Sequence, residues 1–344
     1  MTSPADDRHG PAAGPSYAFG GFSSFLRAPV CVDLDGLDGD VAILGFPTDE
    51  GSTWKPGTRF GPRSMREVSL RFSRADSHGR LGFWRIDSGV RTLDRLLGAQ
   101  RLVDCGDVVV TPGDVDSSWD DATSRVRKIL AAGALPVVLG GDHAITYPIL
   151  KAYDEPLTIV HVDAHMDYAA VGNGASRTHA HPFRLAAGLD HVTRILHLGI
   201  RSFRTSQTEV EDSLADGNVV LTTRELQEYG PEYLSDILPA GERVYVSVDI
   251  DVLDLPLVPG VSAAEPDGLQ YAELAGLLKF VASTYQVVGM DVAEVNPMLD
   301  SPSQVTAFLA VQTVVELLGH VVAASSEHPT PSEHSNLTSR EVSP

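Results

Sequence analysis

A mostly parallel α/β sheet, covered by helices on both faces, is the fold class this sequence predicts. Three observations carry it. Short β-branched, apolar runs alternate with helical segments from position 41 to position 319. Those runs are apolar throughout, the mark of strands buried on both faces. No linker and no internal repeat interrupts the pattern, so one domain is expected.

Taken in order, Val41–Phe46 reads as the first strand, followed by a Gly/Pro/Arg loop and a helical stretch over 61–72. Residues 102–110 contain a strand. Residues 120–132 form a helix whose inner face is Ala122, Val126, Ile129 and Leu130. A strand at 135–139 opens into Gly140-Gly141, and 144–152 is helical. Leu157–Val162 and residues 194–198, 218–221, 243–248 and 285–292 are further strands; 271–283 and 303–319 are helices with apolar faces. Residues 1–16 and 325–344 lack apolar periodicity and are expected to be disordered, leaving 17–324 as the folded domain. His328 and His334 in the tail read as solvated side chains.

Composition narrows the function. A formal charge of −20, from 26 basic and 46 acidic residues, speaks against nucleic acid as a partner, because phosphate binding needs positive surface. An acidic field also steers cationic substrates inward, although such charge more commonly serves solubility. Cys31 and Cys105 are the only cysteines and lack metal-type spacing, which fits buried thiols in a reducing compartment. The first residues have no apolar signal core, and no apolar run is expected to approach the roughly 20 residues of a membrane helix. A soluble, cytoplasmic chain with no membrane partner is expected.

Three segments concentrate ionisable groups where strands end: Gly-Gly-Asp-His at 140–143, His161-Val-Asp-Ala-His-Met-Asp167, and Asp249-Ile-Asp251. Buried unpaired carboxylates are costly, and cations are their natural compensation. Sites in open parallel sheets form beyond the carboxyl ends of the strands, so the three segments are expected to converge. Asp163, His165 and Asp167 alternate onto one face. His161 shares that parity but lies deeper and reads as a hydrogen-bonded core group. Asp249 and Asp251 repeat the arrangement, and His143 follows two glycines that permit a tight turn. Four carboxylates and two imidazoles without a thiolate favour Mn²⁺ over structural zinc. A pair of such ions activates a bridging water. Helix caps and turns explain one or two of these residues, but not three segments together.

These motifs resemble the ureohydrolase family of arginases and agmatinases, in particular its agmatinase-like branch. The resemblance spans residues 40–320 and includes Gly45-Phe-Pro-Thr-Asp49, Lys55-Pro-Gly-Thr-Arg-Phe-Gly-Pro-Arg63 and Asp291-Val-Ala-Glu-Val-Asn-Pro297. It implies a three-layer α/β/α arginase-type fold and two Mn²⁺ per subunit, with Ni²⁺ as the alternative ion. One ion would use His143, Asp163, Asp167 and Asp249; the other would use His165, Asp163, Asp249 and Asp251. The implied reaction is hydrolysis of a guanidino compound to urea and an amine by a metal-bridging hydroxide. Asp167 would accept the hydroxide proton and Glu294 would pair with the guanidinium. His179 would shuttle the proton to the departing amine, with His181 as the alternative. The resemblance also implies a homo-oligomer, as trimers or hexamers.

Several positions depart from the agmatinase pattern. Ala180 stands for the usual Gly and His181 for a small hydroxyl residue; Met166 replaces Thr beside the ligands. Asp254-Leu-Pro256 and Pro259-Gly-Val-Ser-Ala-Ala-Glu265 replace the usual loop, the latter partly resembling formimidoylglutamases. Trp54 occupies a loop expected near the entrance. Substrate contacts are therefore sought at Met166, His181 and Trp54, beside Glu294; Arg177 reads as a solvated loop residue. The alternatives are a formimidoylglutamase-type hydrolase releasing formamide, or a non-catalytic partner subunit of a hetero-oligomer. The second fits poorly with a complete ligand set.

Overall fold

Strand β1 (Val41–Phe46) sends Val41 and Ile43 to one side and Ala42, Leu44 and Phe46 to the other, and every one of them is buried. The same alternation recurs in the neighbouring strands, because helices cover both faces. In this computed structural model, which describes residues 20–72, 74–172 and 177–327, the elements follow in order. After β1 come α1 (Gly61–Ser69), a small antiparallel hairpin of β2 (Phe83–Arg85) and β3 (Val90–Thr92), and α2 (Asp94–Gly98). Then follow β4 (Leu102–Asp107), α3 (Val115–Ala131), β5 (Leu135–Gly140), α4 (Thr146–Leu150), β6 (Leu157–Val162) and α5 (Pro182–Ala186). Next are β7 (Val192–Ile200), α6 (Gln207–Ala215), β8 (Val219–Thr222), α7 (Thr223–Tyr229) and α8 (Leu234–Ile237). The last elements among the described residues are β9 (Arg243–Asp249), α9 (Tyr271–Thr284), β10 (Gln286–Ala293) and α10 (Val305–Glu327).

The eight long strands form one parallel sheet in the order β4-β1-β5-β10-β9-β6-β7-β8. One core layer lies under α1, α9 and α10; the other lies under α3, α4 and α5. The expected three-layer, mostly parallel α/β/α fold is the one observed. Within α10, Val305–Ala324 is long and apolar enough by length and composition to cross a membrane. This corrects the expectation that no run approaches that length. Here the helix serves the core: Ala310, Val311, Val314 and Leu318 are buried, and it packs on α1 and α9. Of the two cysteines, Cys105 is buried and Cys31 is only partly covered. Helix α10 runs to Glu327, past the boundary expected at 324. The tail beyond it, with His328 and His334, lies outside the described residues, as do residues 1–16.

Candidate metal centre and active site

Strands β5, β10, β9 and β6 are adjacent in the sheet, so their carboxyl ends bring four chain segments to one crevice. The turn after β5 is tight. A Cβ on Gly141 would collide with the Thr48 backbone, so only glycine lets the chain pass there. Asp142 then caps a 3-10 turn at His143–Ile145, accepting the Ala144 N–H through Oδ1, while its Oδ2 takes the Gly51 N–H at 2.7 Å. His143 is thereby turned into the crevice. Asp249 is both cap and cluster member: Oδ1 accepts the Asp251 N–H at 2.8 Å, while Oδ2 faces His143. The turn-residue explanation is thus half right for this carboxylate.

His143 Nδ1 lies 3.0 Å from Asp163 Oδ2, 3.0 Å from Asp167 Oδ2 and 3.4 Å from Asp249 Oδ2. On the far side of Asp163, His165 Nδ1 lies 3.4 Å from Asp163 Oδ1 and 3.2 Å from Asp251 Oδ2. Asp163 therefore offers one oxygen to each group. Its Oδ2 also faces His161 Nε2 at 2.8 Å. All six ligand candidates converge. His143 Nδ1 and Asp251 Oδ2 are buried without a hydrogen-bond partner. His143 presents its other nitrogen to Ser247 Oγ at 2.9 Å; Ser247 donates to Asp291, which also accepts from Thr146 and Tyr245. An outer carboxylate of this kind fixes the ring with Nδ1 turned towards Asp163, Asp167 and Asp249.

Electrostatics point the same way. Burial and the charges of Asp251 and Asp163 hold the Asp249 carboxyl well above the usual range. Burial likewise raises Asp251, helped by Asp163 and opposed by His165. Burial opposes protonation of His143, but Asp163, Asp167 and Asp249 outweigh it and raise the imidazole. His165 is pushed up to about 12 as Asp251 and Asp163 overcome its burial. Without cations the cluster keeps protons that cations would displace. The donor set, hard and oxygen-rich with two imidazoles, fits a pair of divalent ions.

Beside the cluster lies a cavity of about 200 Å³ lined by Met166, Asp167, His179, Ala180, Asp249 and Glu294, among others. Glu294 follows β10 with φ of 65°, and Asp167 has φ of 47°; both are left-handed positions that non-glycine residues pay to occupy. Glu294 Oε1 accepts the His143 N–H at 3.0 Å and lies 3.1 Å from His179 Nδ1, while Oε2 is buried without a partner. His179 Nε2 reaches Thr53 Oγ1 at 2.9 Å, and its ring is raised to about 9 as Glu294 outweighs burial. The same burial, with the Glu294 charge, raises Asp142 to about 7.

Two positions expected to contact substrate are not among the residues lining this cavity. His181 is 7% exposed but does not line the cavity: its Nδ1 bonds Thr178 Oγ1 at 2.7 Å where the chain turns into α5. Trp54 is 70% exposed and outside the lining, because the loop turns Thr53 inward instead. Arg177 pairs with Asp116 at 2.6 Å. Met166 does line the cavity. So do Ala263, from the Pro259–Glu265 run, and Arg204, Thr205 and Glu209, which sequence reasoning did not single out. Glu209 is held there by a capping box with Ser206 at the start of α6, a pattern readable in Ser206-Gln-Thr-Glu209. Arg204 is tied to Glu265 and to the Ala263 carbonyl, contacts that no local pattern announces.

Strained, buried and mutually repelling carboxylates beside an open cavity mark an enzyme active site. Comparison with known proteins gives its class. A model of the arginase family matches residues 39–319. The proclavaminate amidinohydrolase of Streptomyces clavuligerus is 34% identical over 305 residues, covering 86% of this chain and 91% of that protein. The mitochondrial guanidino acid hydrolase of Homo sapiens is 32% identical over 312 residues, covering 87% and 82%. The solved structure of the Streptomyces enzyme superposes with a TM-score of 0.79 and 32% identity, over 90% of this chain and 100% of that one. The protein is a hydrolase of carbon–nitrogen bonds in linear amidines. It belongs to the arginase family.

Proposed function

We propose that this chain hydrolyses a guanidino compound to urea and an amine, with two divalent cations, Mn²⁺ first, held in the cluster. His143 Nδ1 carries the reading: a buried nitrogen facing three carboxylates without a hydrogen-bond partner is a ligand position. His143, Asp163, Asp167 and Asp249 would hold one ion, and Asp163, His165, Asp249 and Asp251 the other. Bound there, the ions supply a water nucleophile activated near neutral pH, which the resonance-stabilised guanidinium requires.

The chain's own residues do the rest. Glu294 keeps Oε2 unpartnered and receives the guanidinium N–H groups in a charge-assisted contact. Its rigid placement, on the His143 N–H and the His179 ring, orients the planar carbon relative to the cluster. Asp167, at the cavity wall, accepts the nucleophile's proton. His179 carries a proton at Nε2 and delivers it to the departing amine. The Thr53 hydroxyl accepts from that nitrogen in the cationic ring and donates to it in the neutral one.

The names of the relatives, which include agmatinases, a guanidino acid hydrolase and a proclavaminate amidinohydrolase, make linear guanidino compounds the substrates to test. Arginine, agmatine, guanidinobutyrate, guanidinopropionate and guanidine are assayed for urea, and formiminoglutamate for formamide. Urea from at least one guanidine is expected, abolished by chelation and restored by Mn²⁺. Formamide alone, or no product with metal bound, overturns the reading.

A further inference from the structure

We propose that His197 is a positioning residue of the centre: it fixes the tautomer of His161 and, through it, the orientation of Asp163. This rests on reading Asp163 as a shared ligand.

His197, His161, Ser247 and Asp291 stand in register on β7, β6, β9 and β10, making one polar row across four neighbouring strands. All four are fully buried. Such a row is costly and calls for a reason. Asp291 and Ser247 have theirs in His143. The other half of the row ends on Asp163.

The hydrogen positions follow from the contacts. Asp163 Oδ2 is an acceptor, so His161 Nε2, 2.8 Å away, carries the hydrogen. His161 Nδ1 lies 2.8 Å from His197 Nδ1, and two ring nitrogens at that distance share one hydrogen. In a neutral His161 the Nδ1 is a lone pair, so the hydrogen sits on His197 Nδ1. His197 Nε2 is then a bare lone pair, and that atom is buried without a hydrogen-bond partner. The ring meets Tyr168 and Phe183 edge to face, and burial holds it well below the usual imidazole range. Reversing both tautomers turns a His161 lone pair against the Asp163 oxygen and buries an N–H on His197. Of the two neutral arrangements, only the first satisfies the ligand side.

Asp163 is thereby locked at both oxygens: Oδ2 by His161, and Oδ1 by the His165 N–H at 2.6 Å. Nothing in the strand around Arg194–Gly199 announces this role, since His197 reaches the site only through its neighbour.

The test is made on the full-length chain. Nitrogen-15 spectra of the histidine-labelled, metal-free protein are expected to show His197 as the Nδ1–H tautomer and His161 as the Nε2–H tautomer. Titration with Mn²⁺ by calorimetry is expected to show an affinity at least about tenfold weaker in His197→Leu. His197→Asn, whose amide nitrogen takes the place of Nδ1, is expected to recover most of it. The opposite tautomers in the wild type overturn the proposal whether or not His197→Leu folds. So does wild-type Mn²⁺ affinity in a folded His197→Leu. If the wild type binds no Mn²⁺ at all, the metal-centre reading fails instead, and the tautomers alone stand tested.

Discussion

Glu294 and His179 form the pair whose chemistry is most exposed to test, because their charges depend on each other. Burial opposes the charge on both, yet their hydrogen bond raises His179 to about 9 and keeps Glu294 below its ordinary value. The linkage has a definite sign. A histidine raised in the folded state stabilises fully below its ordinary value of 6.5, and that contribution is lost as pH rises through about 9. Metal-free protein should therefore lose part of its thermal stability between those limits, and His179→Asn should flatten that part of the profile. Thermal melts across pH 6 to 10 measure it; identical profiles for the two proteins would count against the pair. Glu294→Gln keeps the shape but removes the charge offered to a guanidinium. It is expected to lower kcat/KM by a factor of about ten or more while metal content is unchanged, a charge-assisted bond being worth roughly 1.5–3 kcal/mol.

Individual elements divide clearly into those readable along the chain and those made by tertiary approach. Strands β1 and β6 were legible end to end, because a run such as Leu-Thr-Ile-Val-His-Val has no other stable use once both faces are covered. The helix expected at 144–152 is in fact a 3-10 turn and a short α4, since Asp142 caps a turn that must first aim His143. Helices α6 and α7 were missed, although each opens with a capping box, because neither has a strong apolar face. Metal-ligand candidates were legible since they are local in sequence; Thr53, Arg204 and Arg201 were not. Arg201 illustrates why: its guanidinium binds the carbonyls of Asp251, Val252, Leu253, Glu265 and Pro266, clamping the segment after β9 from just beyond the end of β7. The turn after β5 is the element most open to a direct test. Gly141 also accepts the Glu294 N–H at 2.9 Å, so a side chain there displaces the Thr48 loop and Glu294 together. Gly141→Ala is expected to cost about 1–3 kcal/mol, the range for overpacking, and to weaken activity beyond the loss of folded protein. Chemical denaturation alongside urea assays measures both, and full stability in the variant would contradict the close approach.

At the scale of the whole molecule, a net charge of −20 and a cluster of buried carboxylates make metal binding and folding stability one problem. Asp249 and Asp251 are raised in the metal-free fold, so the protons they retain stabilise it at low pH, and that stabilisation is lost as pH rises above about 4. His143 and His165 are raised as well and must give up protons before they can bind a cation. Cations held in the cluster as proposed would bind only when these protons leave, so Mn²⁺ affinity should climb with pH. Stabilisation by a ligand at about 100 times its dissociation constant is roughly 2.7 kcal/mol, so the shift in melting temperature is large enough to follow. The difference in Tm between Mn²⁺-loaded and metal-free protein should therefore widen from pH 5.5 to pH 8, measured at fixed free Mn²⁺. Asp251→Asn removes one of these carboxylates and should reduce both the shift and its pH dependence. A shift of the same size at every pH would mean that the ion binds away from these protons, on the acidic surface and not in the cluster.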